Sequence, residues 1–328
     1  MKAPTFWKRD SGSIWPTILE PISFLYRAAD AVNRRLTRTH SVGIPVICIG
    51  NIIAGGAGKT PVALAVARYL MSEGWNVHFL SRGYGGKAEG PVRVVQDVHK
   101  AADVGDEPLL LAAVAPTWVA KDRVKGAEAA VKAGADVLVM DDGFQNFSLH
   151  KDISILVVDA GFGVGNGRVL PAGPMRETVD SALSRADAVV TIGNGPGLAL
   201  PEGASILSFR AKLVPKAMMN ELVGEKVVAF AGIGRPAKFF ESLMDAGAEL
   251  VEAVEFPDHH AFTQEDIMKL VEKAALHDAA LVTTRKDYVR LPDDAKLMTT
   301  AFDVELVFQK PADLQKLFTR RLGEHEDA

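Results

Sequence analysis

The sequence predicts an α/β fold, in which a mostly parallel sheet covered by helices on both faces is followed by a second, smaller α/β lobe. Short apolar runs of strand length alternate with helical patterns through most of the 328 residues. This alternation is typical of βα units and of a parallel sheet. The pattern weakens around residues 209–223, and a second alternating set then begins. The weak stretch predicts a boundary near residues 212–222.

The first set contains six apolar runs and three helical patterns. Because ligands of parallel sheets bind at the carboxyl ends of the strands, functional residues are expected directly after these runs. The predicted strands are residues 46–49, 76–80, 92–95 (a short edge strand), 136–140, 153–159 and 188–192, and the predicted helices are residues 61–72, 107–113 and 121–133.

The second set predicts a smaller sheet with its own helices. Thr263 is a suitable N-cap for one of these helices. The predicted strands are residues 226–231, 249–256, 280–284 and 304–308, and the predicted helices are residues 239–246, 264–277 and 313–321. We therefore expect three parts: an N-terminal segment at residues 1–40, a main domain at residues 41–215, and a smaller lobe at residues 216–328 that closes a cleft.

The composition is that of an ordinary globular protein, with 48% hydrophobic and 24% charged residues. With a net charge of −4, the chain as a whole lacks the basic excess of a nucleic-acid-binding protein, so no nucleic-acid partner is expected. Cys48 is the single cysteine, which excludes an internal disulfide and fits a reducing compartment. No uncharged apolar run reaches 18 residues, so a membrane-spanning helix is not expected.

Residues 50–60 form the most informative motif, Gly-Asn-Ile-Ile-Ala-Gly-Gly-Ala-Gly-Lys-Thr, between a predicted strand and a predicted helix. This context is that of a phosphate-binding P-loop and predicts a P-loop NTPase-like, three-layer α/β/α domain. Lys59 is expected to reach the phosphates, and the Thr60 hydroxyl to bind Mg²⁺. Ile53 stands where the first glycine of the usual pattern belongs, and an ordinary glycine-rich turn is the alternative. The nucleotide-binding residues expected here are Gly55, Gly56, Ala57, Gly58, Lys59 and Thr60.

Asp141 and Asp142 directly follow the apolar strand predicted at residues 136–140. An acidic residue at such a strand end is the usual partner of a P-loop, where it holds Mg²⁺ directly or through water. Thr60, Asp141 and Asp142 are therefore the candidate metal residues. The alternative is an exposed pair that caps the following turn.

Two further segments carry candidates for acid–base chemistry. Asp106 and Glu107 open a predicted helix, where stabilisation by the helix dipole is the simpler interpretation and a general base the functional one. His259 and His260 lie in a loop of the second set, where a histidine could orient a carboxylate or simply lie at the surface. Arg176, in a proline-rich loop beside Glu177, could contact phosphates or form a solvated charge pair.

The first forty residues contain seven basic and three acidic residues. Apolar residues recur from Pro21 at helical spacing, through Ile22, Leu25, Val32 and Leu36. A basic amphipathic helix with flanking tryptophans can lie in a membrane interface. The alternative is a helix that packs on its own domain, with solvated arginines.

Taken together, the motifs resemble the tetraacyldisaccharide 4′-kinase (lipid A 4′-kinase) family. The matching segments occur in the family's order within residues 40–290: residues 50–61, 81–85, 105–108, 141–145, 170–177, 256–260 and 284–287. The resemblance implies two α/β/α lobes with ATP and the acceptor in the cleft between them. It implies transfer of the γ-phosphate to the 4′-hydroxyl of a tetraacylated glucosamine disaccharide 1-phosphate, in lipid A biosynthesis.

The resemblance also implies roles for individual residues. Asp106 matches the family's proposed catalytic base, His259 the histidine that works with it, and Lys59 the phosphate-binding lysine. Asp141 and Asp142 match the Mg²⁺-associated pair. The residues that match others lining the site are Tyr84, Glu107, Gln145, Arg176 and Glu177. Two positions depart from the common pattern, since Asn146 and Met175 stand where many members have histidine and leucine.

The implied acceptor carries four acyl chains, so its kinase must meet it at a bilayer surface. The resemblance therefore favours the interfacial interpretation of residues 1–40 and a peripheral location on the cytoplasmic face of the bacterial inner membrane, with ATP and Mg²⁺ as cofactors. A soluble P-loop kinase of a small metabolite and a nucleotide-switch protein are the alternatives. A GTP switch usually carries an Asn-Lys-x-Asp motif, and residues 284–287, Thr-Arg-Lys-Asp, do not match it.

Overall fold

The computed structural model describes residues 4–9, 11–201, 203, 205–216 and 221–322. Lys2 and Asp10 of the basic segment, and residues 217–220 of the predicted boundary, lie outside the described residues. The described strands are β1 (Val46–Gly50), β2 (Val77–Ser81), β3 (Val92–Arg93), β4 (Thr117–Val119), β5 (Val137–Asp141), β6 (Ile153–Asp159), β7 (Ala188–Ile192), β8 (Leu207–Pro215), β9 (Lys226–Ala231), β10 (Glu249–Glu255), β11 (Ala280–Thr284), β12 (Thr300–Phe302) and β13 (Val304–Phe308).

A 3₁₀ turn at Thr5–Trp7 precedes the helices. The described helices are α1 (Trp15–Leu36), α2 (Lys59–Ser72), α3 (Ala101–Val104), α4 (Asp106–Ala112), α5 (Arg123–Lys132), α6 (Val179–Leu183), α7 (Pro236–Asp245), α8 (Gln264–His277), α9 (Arg285–Tyr288), α10 (Asp293–Leu297) and α11 (Pro311–Leu322).

The strands form a nine-stranded sheet, in the order β13-β8-β7-β6-β1-β5-β2-β4-β3, and a four-stranded sheet, in the order β10-β9-β11-β12. Pairing in the larger sheet is parallel except where β3 joins β4 and β13 joins β8. The smaller sheet is parallel throughout its described pairs. The predicted fold class, a mostly parallel P-loop NTPase-like sheet with a second, smaller α/β lobe, is confirmed.

The central strands are apolar along their whole length because both faces of the larger sheet are covered. All residues of β1, β5, β6 and β7 are buried. Cys48 lies in this core, and burial raises the pKa of its thiol. In β1, Ile49 is in register with Asp141 of β5, so the turn after β1 lies beside the acidic pair.

Several boundaries differ from prediction. Helix α1 begins at Trp15 rather than at Pro21, with Pro16 in its first turn, where a missing N–H costs no helical hydrogen bond, and Pro21 inside it. The edge strand β3 is two residues long instead of four. Strand β8, Leu207–Pro215, covers the first part of the stretch where the pattern weakened. Its residues alternate between exposed and buried around Phe209 and Ala211, and this period of two is the signal by which it could have been found.

The end of the chain returns to the larger sheet. Val304 of β13 pairs with Pro215 of β8, and Leu314, Leu317 and Phe318 of α11 join the core of the larger sheet. The pairing therefore associates residues 304–322 with the larger sheet. The division at residues 41–215 and 216–328 stays a prediction.

Candidate active site

The turn after β1 has the features of a phosphate-binding loop. Gly58 precedes α2 with a left-handed backbone (φ 86°), and a side chain there would lie 2.5 Å from Ile192 Cδ1. Glycine suits position 58 because it adopts a left-handed backbone easily and has no side chain to collide with Ile192. Ile53 stands in place of the first motif glycine. Its backbone forms an antiparallel bridge with Met175, and its side chain is buried.

The acidic pair lies beside this loop, and its two members make different contacts. Asp141 is buried, and its Oδ2 accepts a hydrogen bond from the Thr60 hydroxyl at 3.0 Å. Asp142 has a positive φ of 54° and lies 3.6 Å from Lys59 Nζ and 3.3 Å from Arg176 Nη1. The structure thus brings together Lys59, Thr60, Asp141 and Asp142 as predicted from the sequence, with Arg176 beside them.

Burial raises the pKa of Asp141 to about 7, a net value in which the charge of Lys59 opposes the rise and the charges of Asp142 and Glu107 add to it. Its Oδ1 is buried and has no hydrogen-bond partner within the described part of the chain. A carboxylate oxygen without a partner beside a hydroxyl is a suitable donor set for Mg²⁺. No group of three or more His, Cys, Asp or Glu suited to a metal occurs among the described residues, so a cation here would need further oxygen ligands.

Gln145 and Glu177 join the Arg176 loop to the P-loop. Gln145 Nε2 donates to the Asn51 carbonyl at 2.9 Å and to Glu177 at 3.2 Å, and Gln145 Oε1 accepts from Arg176. Glu177 is only 4% exposed. Burial alone would raise the pKa of Glu177, but hydrogen bonding and charge from Arg185 outweigh it and hold the pKa below its usual value.

Asp106 and His259 meet across the two lobes. Asp106 is the first residue of α4 and is 5% exposed, and its Oδ2 lies 2.9 Å from His259 Nδ1. Lys286 Nζ lies 3.4 Å from His259 Nε2 and 2.7 Å from Glu107 Oε1. An imidazole with the proton on Nδ1 satisfies both contacts, since Nδ1 then donates to the carboxylate and Nε2 accepts from the lysine.

Asp106 and Glu107 lie in the first turn of α4, where the helix dipole stabilises a carboxylate, but neither of them caps the helix. The N-cap of α4 is Gly105, and no side chain caps that helix. The Asp106 carboxylate contacts His259 instead. The neighbouring His260 contacts Asp266 at 3.0 Å, which separates the roles of the two histidines. Tyr84 packs edge-on against His259, with ring centroids 5.8 Å apart.

A model of the family described as tetraacyldisaccharide-1-P 4′-kinase matches residues 15–323. The chain belongs to this 4′-kinase family. The family recognised from the motifs is therefore confirmed, and with it the prediction that the chain is an enzyme, a kinase.

Sequence similarity to other members of the 4′-kinase family extends over nearly the whole chain. The tetraacyldisaccharide 4′-kinase of Paramagnetospirillum magneticum is 49% identical over 322 residues, which cover 98% of each chain. That of Rhodospirillum centenum is 47% identical over 334 residues, covering 100% of this chain and 98% of its own. The crystal structure of LpxK from Aquifex aeolicus in complex with ATP is 26% identical with a TM-score of 0.75, covering 93% of this chain and 98% of that one.

This member of the 4′-kinase family has a second contact between its lobes, which the sequence did not predict. Asp159, at the end of β6, accepts from Arg235 Nη1 at 3.0 Å and from Lys238 Nζ at 2.8 Å. Arg235 Nη2 also donates to the Gly56 carbonyl in the P-loop at 2.7 Å. The smaller lobe therefore contacts the larger one through the P-loop as well as through Asp106.

Replacing Asp159 by asparagine should destabilise the fold near neutral pH. Burial alone would raise the pKa of Asp159, but hydrogen bonds from Arg235 and Lys238 lower it to about 2. A lowered carboxyl pKa stabilises the fold above the unfolded-state pKa of about 4, and the contribution is lost as the pH falls towards 2. We expect Asp159→Asn to cost about 2 kcal/mol at about pH 7. Unfolding experiments at about pH 7 and about pH 3 would measure this, with a smaller difference expected at the lower pH.

Asp245→Asn is the matched control, because Asp245 is exposed at the end of α7, the helix that carries Lys238. It should change the unfolding free energy by less than about 0.5 kcal/mol. An equal cost for Asp159→Asn at both pH values would contradict the ionic origin of the contact.

Proposed function

We propose that this chain transfers the γ-phosphate of ATP to the 4′-hydroxyl of a tetraacyldisaccharide 1-phosphate, the 4′-kinase step of lipid A biosynthesis. The contact of 2.9 Å between Asp106 and His259 carries this proposal, and the charge of Glu107, the next residue, acts on Asp141 of the acidic pair. It supplies a positioned base for a hydroxyl acceptor, which a nucleotide switch would not need. Membership of the 4′-kinase family names the acceptor.

The P-loop residues bind the nucleotide. Backbone N–H groups of residues 55–60 and the N-terminus of α2 offer donors and positive potential to the phosphates. The Lys59 ammonium adds a charge near the transferred group, and Arg176, which contacts the same oxygen of Asp142, adds another. These cations would offset negative charge on the phosphoryl oxygens as the bond to ADP breaks.

Thr60, Asp141 and Asp142 would hold Mg²⁺, with phosphate oxygens and water completing its ligands. Mg²⁺ favours such sites, with one or two carboxylates and substrate phosphates. When bound, the ion would neutralise charge on the β- and γ-phosphates. The buried Asp141 carboxyl, with its raised pKa and an oxygen that lacks a partner, gains most from a cation at this position.

Asp106 would act as the general base. The 4′-oxygen forms a bond to the γ-phosphorus, the bond from that phosphorus to the bridging oxygen of ADP breaks, and the hydroxyl proton passes to the Asp106 carboxylate. His259 would orient that carboxylate through Nδ1. General-base catalysis of this kind contributes about 10²–10⁴-fold to the rate.

Helix α1 would bring the enzyme to the membrane, on the cytoplasmic face, where ATP is available. One side of α1 packs on the protein, since the Ser23 hydroxyl donates to the Val169 carbonyl at 2.8 Å and Arg34 pairs with Glu177 at 3.2 Å. The other side exposes apolar residues: Trp15, Ile18, Ile22, Phe24, Leu25, Val32 and Leu36. Ile14, directly before the helix, is exposed as well. No helix in the described residues is long and apolar enough to cross a bilayer.

Changing Ile22 and Leu25 together to glutamate should weaken binding to anionic phospholipid vesicles at least about tenfold. Each change removes an apolar side chain whose burial is worth about 1.5–3 kcal/mol and adds a like charge. Co-sedimentation with vesicles measures the effect. The matched control is Leu276→Glu with Leu297→Glu, which alters two exposed leucines of the smaller lobe. If both double variants bound the vesicles equally well, α1 would have a packing role alone.

Transfer of labelled phosphate from ATP to the acylated disaccharide 1-phosphate, in detergent or vesicles, tests the proposed function. Labelled lipid that depends on the acceptor and on Mg²⁺ is the expected result. A folded protein that binds ATP and labels no lipid would overturn the proposal. Transfer to a soluble sugar alone would favour a small-molecule kinase.

A further inference from the structure

Arg290 is a buried cation between the segment that carries Asp106 and the loop that carries His259. Its side chain is 5% exposed, and its Nε lies 3.3 Å from Asp106 Oδ2. Its Nη1 donates to the His260 carbonyl at 2.9 Å, and its Nη2 donates to the Gly232 carbonyl at 3.0 Å. One guanidinium therefore contacts the larger lobe and two segments of the smaller one.

These two carbonyls fix the backbone around His259. The Gly232 carbonyl also accepts from the His259 N–H at 3.0 Å, and the His260 carbonyl belongs to the next residue. His259 has a left-handed backbone with φ 58°, a conformation that a residue with a side chain holds only when its surroundings enforce it. Arg290 supplies part of that enforcement.

Asp287 holds Arg290 from the other side. Asp287 is fully buried and forms an ion pair with Arg290. Its carboxylate also accepts from the Thr284 hydroxyl at 2.6 Å and from the Gly232 N–H at 3.1 Å. The planar guanidinium is thus fixed in one orientation, which a flexible single ammonium would not reproduce.

The contacts with Asp106 converge on one of its two oxygens. His259 Nδ1 and Arg290 Nε both lie near Oδ2. No hydrogen bond to Oδ1 is formed within the described part of the chain. The second oxygen is therefore the one left for a hydroxyl acceptor.

We propose that Arg290 is a positioning residue for phosphoryl transfer: from the smaller lobe it holds Asp106 and His259 together, so that Asp106 Oδ1 faces the acceptor hydroxyl. Arg290 forms no bond and exchanges no proton, and the hydroxyl proton passes to Oδ1. The inference rests on the proposed function. It adds that the catalytic base is complete only when the two lobes are in contact.

Arg290→Lys tests this with the charge retained. One ammonium cannot reach Asp106, Asp287 and both carbonyls, so kcat should fall about 10²-fold, the loss expected for a small misplacement of a catalytic group. The KM for ATP should change by less than about threefold, because no P-loop contact is altered. Arg285→Lys is the matched control, five residues earlier at the start of α9, where Arg285 pairs with Asp303 away from Asp106, and it should leave kcat nearly unchanged.

A double-mutant cycle with His259→Ala separates positioning from general damage. If Arg290 acts through the Asp106–His259 pair, Arg290→Lys should lower kcat by less than about threefold in the His259→Ala background. The same fold-loss in both backgrounds would overturn the proposal, because a merely structural effect is independent of His259.

Circular dichroism and ATP affinity report whether Arg290→Lys is folded. If it is not, Arg290→Met with Asp287→Asn removes both buried charges together, and the same loss of kcat is expected. Wild-type protein that labels no lipid would overturn the proposed function. Active wild type with an unaltered kcat in the Arg290 variants would overturn this inference alone.

Discussion

Replacing Asp106 by asparagine should lower kcat by about 10³-fold while the affinity for ATP changes by less than about threefold. The amide keeps the size of the carboxylate and can still accept from His259 Nδ1, which lies 2.9 Å from Asp106 Oδ2. It cannot take the proton of the acceptor hydroxyl. Single-turnover transfer of labelled phosphate, together with nucleotide titration, measures the two quantities separately.

Asp103→Asn is the matched control for this change. Asp103 lies three residues earlier, and its carboxylate accepts from the Lys100 N–H at the start of α3. It should cost stability of about 1 kcal/mol and leave kcat within about twofold. A parallel loss of ATP affinity in Asp106→Asn would instead make Asp106 a structural or metal-binding residue.

Asp141→Asn should lower kcat/KM by about 10²–10⁴-fold, since a metal ion at this site is expected to supply several kcal/mol of charge stabilisation. The same substitution should not destabilise the Mg²⁺-free protein. Burial raises the pKa of Asp141 to about 7, so at about pH 8 the buried anion is a cost to the Mg²⁺-free protein, and the neutral amide removes that cost. We therefore expect a melting temperature that is equal to or higher than that of wild type without Mg²⁺.

We expect Mg²⁺ with nucleotide to stabilise wild type, and this stabilisation should be much reduced in Asp141→Asn, because the proposed ligand oxygen is lost. Asp136→Asn, at the opposite end of β5, is the matched control and should keep the response to Mg²⁺. Full activity of Asp141→Asn with loss in Asp142→Asn would assign the metal to Asp142 and leave Asp141 with a packing role.

The part of the site that the sequence predicts well lies on neighbouring parallel strands. A P-loop after β1 and an acidic pair after β5 must meet if the two strands pair in parallel, and Ile49 is indeed in register with Asp141. Each segment is short and carries its own local signal, such as glycines, an apolar run or a terminal acid. Local signals of this kind are enough to place Lys59, Thr60, Asp141 and Asp142 together.

The contacts between the lobes could not be predicted from local signals. Asp106 and His259 are 153 positions apart, and only the resemblance to a family joined them before the structure did. Arg290 gave no sequence signal, because an arginine without a motif is usually a surface residue. Asp159 ends a predicted strand, but nothing in the sequence linked it to Arg235 or Lys238. Their roles depend on packing that brings distant segments together. Strand β4, with three residues, was too short to produce a readable period.

The pairing of β13 with β8 also means that the larger sheet cannot be completed until the last part of the chain has left the ribosome. The whole smaller sheet is synthesised between these two strands, so β8 has no outer partner until Val304 and the residues after it emerge. An unpaired strand edge invites aggregation. A chain that ends at residue 302 would contain all the active-site residues named above yet leave that edge open, so premature termination would yield an insoluble product rather than a partly active kinase.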